Sequence, residues 1–162
     1  MNSTIDDFEM FHTGCEFADC ADFCLKEAST PHPKFLSYAS PTVVNATFAC
    51  EVFLKLLLYW NGIEGKKIHK LKDLFEKLPN NMQIGLRNSV ISRYGRWNDV
   101  WGFDCLDNVT DAFVIWRYSY EHDWSKSAQM HIDLGFLIAF KNALKELCCQ
   151  SFGWADISQE NN

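Results

Sequence analysis

Apolar residues recur every three or four positions along most of this chain, and alternation with a period of two is missing, so the pattern predicts helices throughout. Residues 4–28 place Ile5, Phe8, Phe11, Cys15, Ala18, Ala21 and Leu25 on one stripe, and Thr30-Pro31-His32-Pro33 ends it. A second helix starts at Ser40 as cap, with Pro41 in its first turn, and runs to the stop at Asn61-Gly62. Two more are predicted over 69–78 and 82–94, separated by Pro79-Asn80-Asn81. A Gly- and Trp-containing connection, 95–105, leads to a helix that begins at Asp107 as cap and carries Val109, Ala112, Phe113, Val114 and Trp116 to Arg117. The last helix spans 130–149, with Ile132, Phe136, Ala139, Phe140, Ala143, Leu144 and Leu147 as its apolar face. Long amphipathic helices with short connections predict an all-α antiparallel helical bundle of about five to six helices.

Length and composition narrow the class. At 162 residues and 48% hydrophobic, the chain suits one domain with a sizeable core, taken as 1–162, with an acidic helix over 1–30 packed on a bundle over 40–149. The apolar run 52–59 is short for a membrane span and is flanked and interrupted by Glu51 and Lys55, and the N-terminus is acidic, so the expectation is a cytoplasmic protein without a membrane partner. Seven cysteines without a Cys-x-x-Cys pair read as reduced thiols. Cys20 and Cys24 form only one loose pair, too little for a zinc site, so no metal and no cofactor are expected.

Charge is unevenly placed. The net charge of −6 opposes indiscriminate RNA binding, yet residues 1–30 hold seven acids against Lys26 alone. Lys66, Lys67, Lys70, Lys72, Lys77, Arg87, Arg93 and Arg96 crowd the middle, and Lys66, Lys67 and Lys70 are candidate RNA contacts. Acids such as Asp73 and Glu76 interrupt the run, so an ordinary solvated face is the competing reading. Trp97, Trp101 and Trp124 lie in connections, where they either stack bases or pin loops.

The chemistry-bearing segment is Trp116-Arg117-Tyr118-Ser119-Tyr120-Glu121-His122. On a continuous helix the side chains of Arg117 and His122 point roughly 140° apart, so they converge only if the helix ends near Glu121. An imidazole exchanges protons near neutral pH, and a guanidinium clamps phosphate oxygens; together they suit metal-independent cleavage of RNA by its own 2′-hydroxyl. The competing structural reading makes Arg117 a buried residue paired with Glu51, which sits among Val44, Phe48, Leu54 and Leu58 at helical spacing, or with Glu121.

Phe48-Ala49-Cys50-Glu51-Val52-Phe53-Leu54-Lys55, His69-Lys70-Leu71-Lys72-Asp73-Leu74-Phe75 and Phe113-Val114-Ile115-Trp116-Arg117-Tyr118-Ser119-Tyr120-Glu121 together resemble a HEPN (higher eukaryotes and prokaryotes nucleotide-binding) domain over about 40–149. The resemblance implies a bundle that commonly dimerises. Many members are endoribonucleases of toxin–antitoxin and phage-defence systems whose signature is Arg, four to six residues, then His. Arg117 and His122, with four residues between, match it. It also implies a composite site across a homodimer and a possible antitoxin partner of nucleotidyltransferase type. The alternative is a non-catalytic interaction or regulatory module.

Overall fold

The computed structural model describes residues 5–30, 38–118, 121 and 132–152. Among them are seven helical segments: α1 (Asp7–Ala28), α2 (Ala39–Trp60), α3 (Leu71–Glu76), α4 (Asn80–Tyr94), α5 (Cys105–Val109), α6 (Ala112–Arg117) and α7 (Leu134–Phe152). The fold is an all-α helical bundle, as the periodicity predicts.

α2 is its axis. Thirteen of its residues are buried, among them Ala46, Cys50, Phe53, Leu54 and Leu57, and α1, α3, α6 and α7 all pack against it. It is also the one described helix long and apolar enough to cross a membrane, but 72% of its most apolar window is buried inside the protein. That is the signature of a central bundle helix. The chain leaves it through Asn61, whose N–H donates to the Leu57 and Leu58 carbonyls, and Gly62 at φ +67°. Its start lies one residue before Ser40, with Tyr38 rather than Ser40 at the cap position.

α1 runs antiparallel to α2: Asp7 accepts from the indole N–H of Trp60 (3.0 Å), and Phe17 meets Phe48 at a ring distance of 4.5 Å. Gly14 lies between these contacts. A Cβ there would sit 2.5 Å from the Phe53 ring, so glycine is the residue that lets the two backbones approach this closely. α7 runs alongside α2 in the same direction, with Phe152 on Trp60 (4.4 Å) and the Cys148 thiol facing the Phe53 carbonyl. Phe136 and Phe140 of α7 enclose Trp97 together with Phe75, so this tryptophan pins its loop to the core.

Two expected boundaries move inward or outward by local chemistry. α3 is shorter than 69–78, because its free N–H groups are met from outside: Thr110 Oγ1 accepts from the Lys72 N–H (3.0 Å). α4 begins at Asn80, immediately after Pro79, and stops at Gly95 in the left-handed region at φ +93°.

The predicted helix from Asp107 to Arg117 is two helices. Asp104, not Asp107, caps the first by accepting from the Leu106 N–H (2.8 Å), and the chain turns at Thr110-Asp111 before α6. Asp107 instead accepts from Lys72 across the gap at 2.5 Å.

Candidate functional site

Arg117 is the last residue of α6 and is exposed. Its guanidinium lies over the Phe113 ring (4.7 Å) and the Tyr118 ring (4.5 Å), and its Nη2 donates to the Tyr118 hydroxyl (2.9 Å). Phe113 in turn packs on Phe48 of α2 at 5.6 Å, and Phe48 on Phe17 of α1. A stack of rings therefore carries the cation outward from the core. Stacking covers the faces of a guanidinium and leaves in-plane N–H donors for a phosphate or carboxylate.

The expected Glu51–Arg117 ion pair is not formed. Glu51 is buried on α2, and its Oε1 accepts from Lys55 Nζ (2.7 Å) and lies 2.9 Å from His69 Nδ1. Two physical facts account for the correction. Lys55 is four residues on from Glu51 on the same helix and reaches it without any tertiary arrangement. The turn at Thr110-Asp111 makes α6 a separate short helix, with Arg117 on its exposed side.

α6 also ends at Arg117, earlier than the expected stop near Glu121, and the Glu121 N–H closes the next turn onto the Tyr118 carbonyl (2.9 Å). His122, His131 and Trp124 lie outside the described residues.

The mid-chain cations do not form one continuous face. Lys66 and Lys67 are exposed; the Lys66 N–H donates to Glu64, and its carbonyl accepts from Lys55 Nζ (3.3 Å). Lys70 lies 3.8 Å from Asp111, and Lys72 holds Asp107, whose hydrogen bond raises the lysine's pKa. Arg87 lies over Phe75 and Trp97, Arg93 reaches Glu146, and Arg96 faces Asp133. Exposed Lys66 and Lys67, with Lys70 beside the start of α6, form one cationic segment, and exposed Lys77 stands apart at the end of α3.

Two features escape the periodic pattern. His69, read from sequence as a helix-start residue, is instead fastened to a buried carboxylate. A cleft of about 860 Å³ lies between the end of α4, the loop 96–104 and the start of α7. Asp133 is its hub: it accepts from the Tyr94 hydroxyl (2.7 and 2.8 Å) and the Phe136 N–H (3.0 Å) and faces Arg96. Burial, then the bond to Asp133, raises the Tyr94 pKa; burial and the Asp133 charge raise that of Cys105. At the rim, Asp99 accepts from the N–H groups of Trp101 and Phe103 and folds a turn that exposes Val100, Trp101 and Phe103.

All seven cysteines are free thiols, and among the described residues no group of three His, Cys, Asp or Glu is arranged to hold a metal. Comparison with family models, curated proteins and solved structures finds no match to this chain. The residues themselves therefore carry the functional argument, on a bundle that displays an arginine on a stack of rings.

Proposed function

We propose that the protein is a metal-independent endoribonuclease of toxin or phage-defence type on a HEPN-like bundle. Arg117 clamps the scissile phosphate, and His122 exchanges protons with the reacting oxygens. The observation that carries this reading is the setting of Arg117: exposed, held between Phe113 and Tyr118, while Glu51, its expected partner, is engaged by Lys55 and His69. An arginine held for packing alone has no need of a ring stack that keeps its donors at the surface. Such an arrangement lowers the entropic cost of presenting the guanidinium to a phosphate and leaves hydrogen bonds for the charge that builds in the transition state.

In this reading two copies form a homodimer whose motifs face each other, exposed Lys66 and Lys67 together with Lys70 guide the RNA backbone, and a nucleotidyltransferase-type antitoxin restrains the enzyme in the cytoplasm. A second reading, a non-catalytic interaction module, is favoured by a different observation, the exposed Val100, Trp101 and Phe103 at the rim of the large cleft.

The test is cleavage of mixed single-stranded and structured RNA in EDTA. Wild type cleaves; His122→Ala and Arg117→Ala lose at least about a hundredfold in rate while remaining folded. Arg117→Lys, which keeps the charge and loses the planar fork, falls between. A folded wild type with no cleavage at any RNA concentration sinks the ribonuclease reading and leaves the module.

A further inference from the structure

The loop 96–104 splits its two tryptophans between different duties. Trp97 is buried and anchors the loop, enclosed by Phe75, Phe136 and Phe140, and its carbonyl accepts from the Cys105 N–H (3.1 Å). The turn beyond it is closed by the Asp99 N–H, which donates to the Phe103 carbonyl (2.7 Å), with Gly102 at φ +86°. The side chains of Trp101 and Phe103 are therefore not needed to hold the turn, and they are 79% and 69% exposed beside an exposed Val100. Three large apolar side chains on one turn, at the mouth of a cleft, form the kind of surface that a partner covers.

Charge narrows the partner. The cleft is lined by Asp99, Asp104, Asp107 and Asp133 but by a single cation, Arg96. Arg96 faces Asp133, and Lys72 reaches Asp107 from α3. Asp99 and Asp104 bracket the apolar turn and are half-buried; among the described residues their carboxylates accept only from the backbone N–H groups of Trp101, Phe103 and Leu106. The Cys105 thiol feels the same field: burial raises its pKa, Asp133 raises it further, and Arg96 opposes while Asp99 and Asp104 add. Carboxylates and the negative faces of two exposed rings attract a cation and repel a phosphate. A nucleic acid stacked on Trp101 would bring its backbone onto these carboxylates. A small amine would satisfy the carboxylates and leave the apolar turn in water. A polypeptide segment with a cation beside an apolar side chain meets both.

We propose that the cleft beside loop 96–104 docks a partner protein through a segment that carries Lys or Arg next to a large apolar side chain. The inference rests on the interaction reading of this cleft and is independent of RNA cleavage at Arg117. The apolar side chain packs on Trp101 and Phe103, and the cation lies against Asp99 and Asp104. Tryptophan is among the side chains that most often carry binding energy, so Trp101 supplies most of the affinity. The carboxylates choose the sign of the partner and speed its approach, an effect that salt weakens.

The experiment uses the full chain and fluorescein-labelled peptides in a Gly-Ser frame carrying Lys-Leu-Lys-Leu-Lys, Glu-Leu-Glu-Leu-Glu or Lys-Ser-Lys-Ser-Lys, together with a labelled 2′-O-methyl RNA oligonucleotide. Affinity is read from anisotropy, and the site from the Trp101 indole N–H signal of the isotope-labelled chain, assigned by its loss in Trp101→Ser. The Lys-Leu peptide is expected to bind saturably and to move that signal. Trp101→Ser should weaken it at least about tenfold, and Asp104→Asn, which keeps the helix cap and removes the charge, about threefold. Glu16→Gln, an equal change of charge at an exposed position of α1, should leave it unchanged. Equal weakening by Asp104→Asn and Glu16→Gln would mean attraction to net charge alone and overturn the inference, as would equal binding of the Lys-Ser peptide. Tighter binding of the Glu-Leu peptide or of the RNA at Trp101 keeps an interaction site there and overturns the partner named here. If no probe moves the Trp101 signal, the docking site and the interaction reading of this cleft both fall, whatever the chain does to RNA.

Discussion

On the side of α2 that faces α1 and α7 the bundle hides a cation; on the side that faces α6 it displays one. Lys141 of α7 is fully buried, with its ammonium 2.5 Å from Asp22 and 3.4 Å from the Ala18 carbonyl of α1. Arg117 is exposed on its rings, and Lys55 and His69 share Glu51 at the surface edge. The difference lies in what each charge is used for. Lys141 threads its aliphatic stem through the core and delivers its charge to a half-exposed aspartate, which ties two helices together. The charge on the other side rests on rings and keeps its donors facing water.

The hidden side is expected to fail first in alkali. Burial pushes the Cys50 thiol from its ordinary 9.0 up to about 12, with Lys141 opposing the shift. Between those values the unfolded chain has lost this proton and the native one retains it, so stability is complete below pH 9 and falls as pH rises towards 12. The slope is about 1.4 kcal/mol per pH unit, on the order of 4 kcal/mol over the window. Urea melts from pH 8 to 11.5 measure it, and Cys50→Ala should remove that part of the slope.

Next in size is the ion pair. Asp22→Ala strands a buried ammonium and should cost about 3 kcal/mol in a urea melt. Lys141→Met should cost within about 1 kcal/mol, because the freed aspartate is already half in water. Equal losses would show that the pair is not asymmetric in this way. The smallest effect belongs to the displayed side: Arg117→Ala should change stability by no more than about 1 kcal/mol, the scale of an exposed cation–π contact. A loss above 2 kcal/mol would make Arg117 structural and erase the contrast between the two sides.

Much of this bundle is readable from spacing. α1, α2 and α7 follow from apolar stripes, α4 from the breaks on either side of it, and Gly62 and Gly95 mark stops that the backbone uses. The break between α5 and α6 is invisible to periodicity, because Val109, Ala112, Phe113 and Trp116 keep helical spacing straight through it. That hidden turn is what defeated the Glu51–Arg117 pairing. Lys141 could have been found: it sits four residues after Leu137 and three before Leu144, a lysine on a core stripe, and Asp22 follows Ala18 by four. The attachment of His69 to Glu51 could not, since it joins residues eighteen positions apart through the path of a loop.

The hydroxyl that Thr110 lends to the Lys72 N–H crosses thirty-eight residues of sequence. A six-residue helix has too few internal bonds to persist alone in water. While the chain is being synthesised, α1 and α2 can pair once their own segments have emerged, but α3 lacks its cap until position 110 arrives. The loop that presents His69 is thus anchored at one end early, on Glu51, and at the other end late, so a chain cut short before Thr110 would contain every residue of that loop and still lack its final shape.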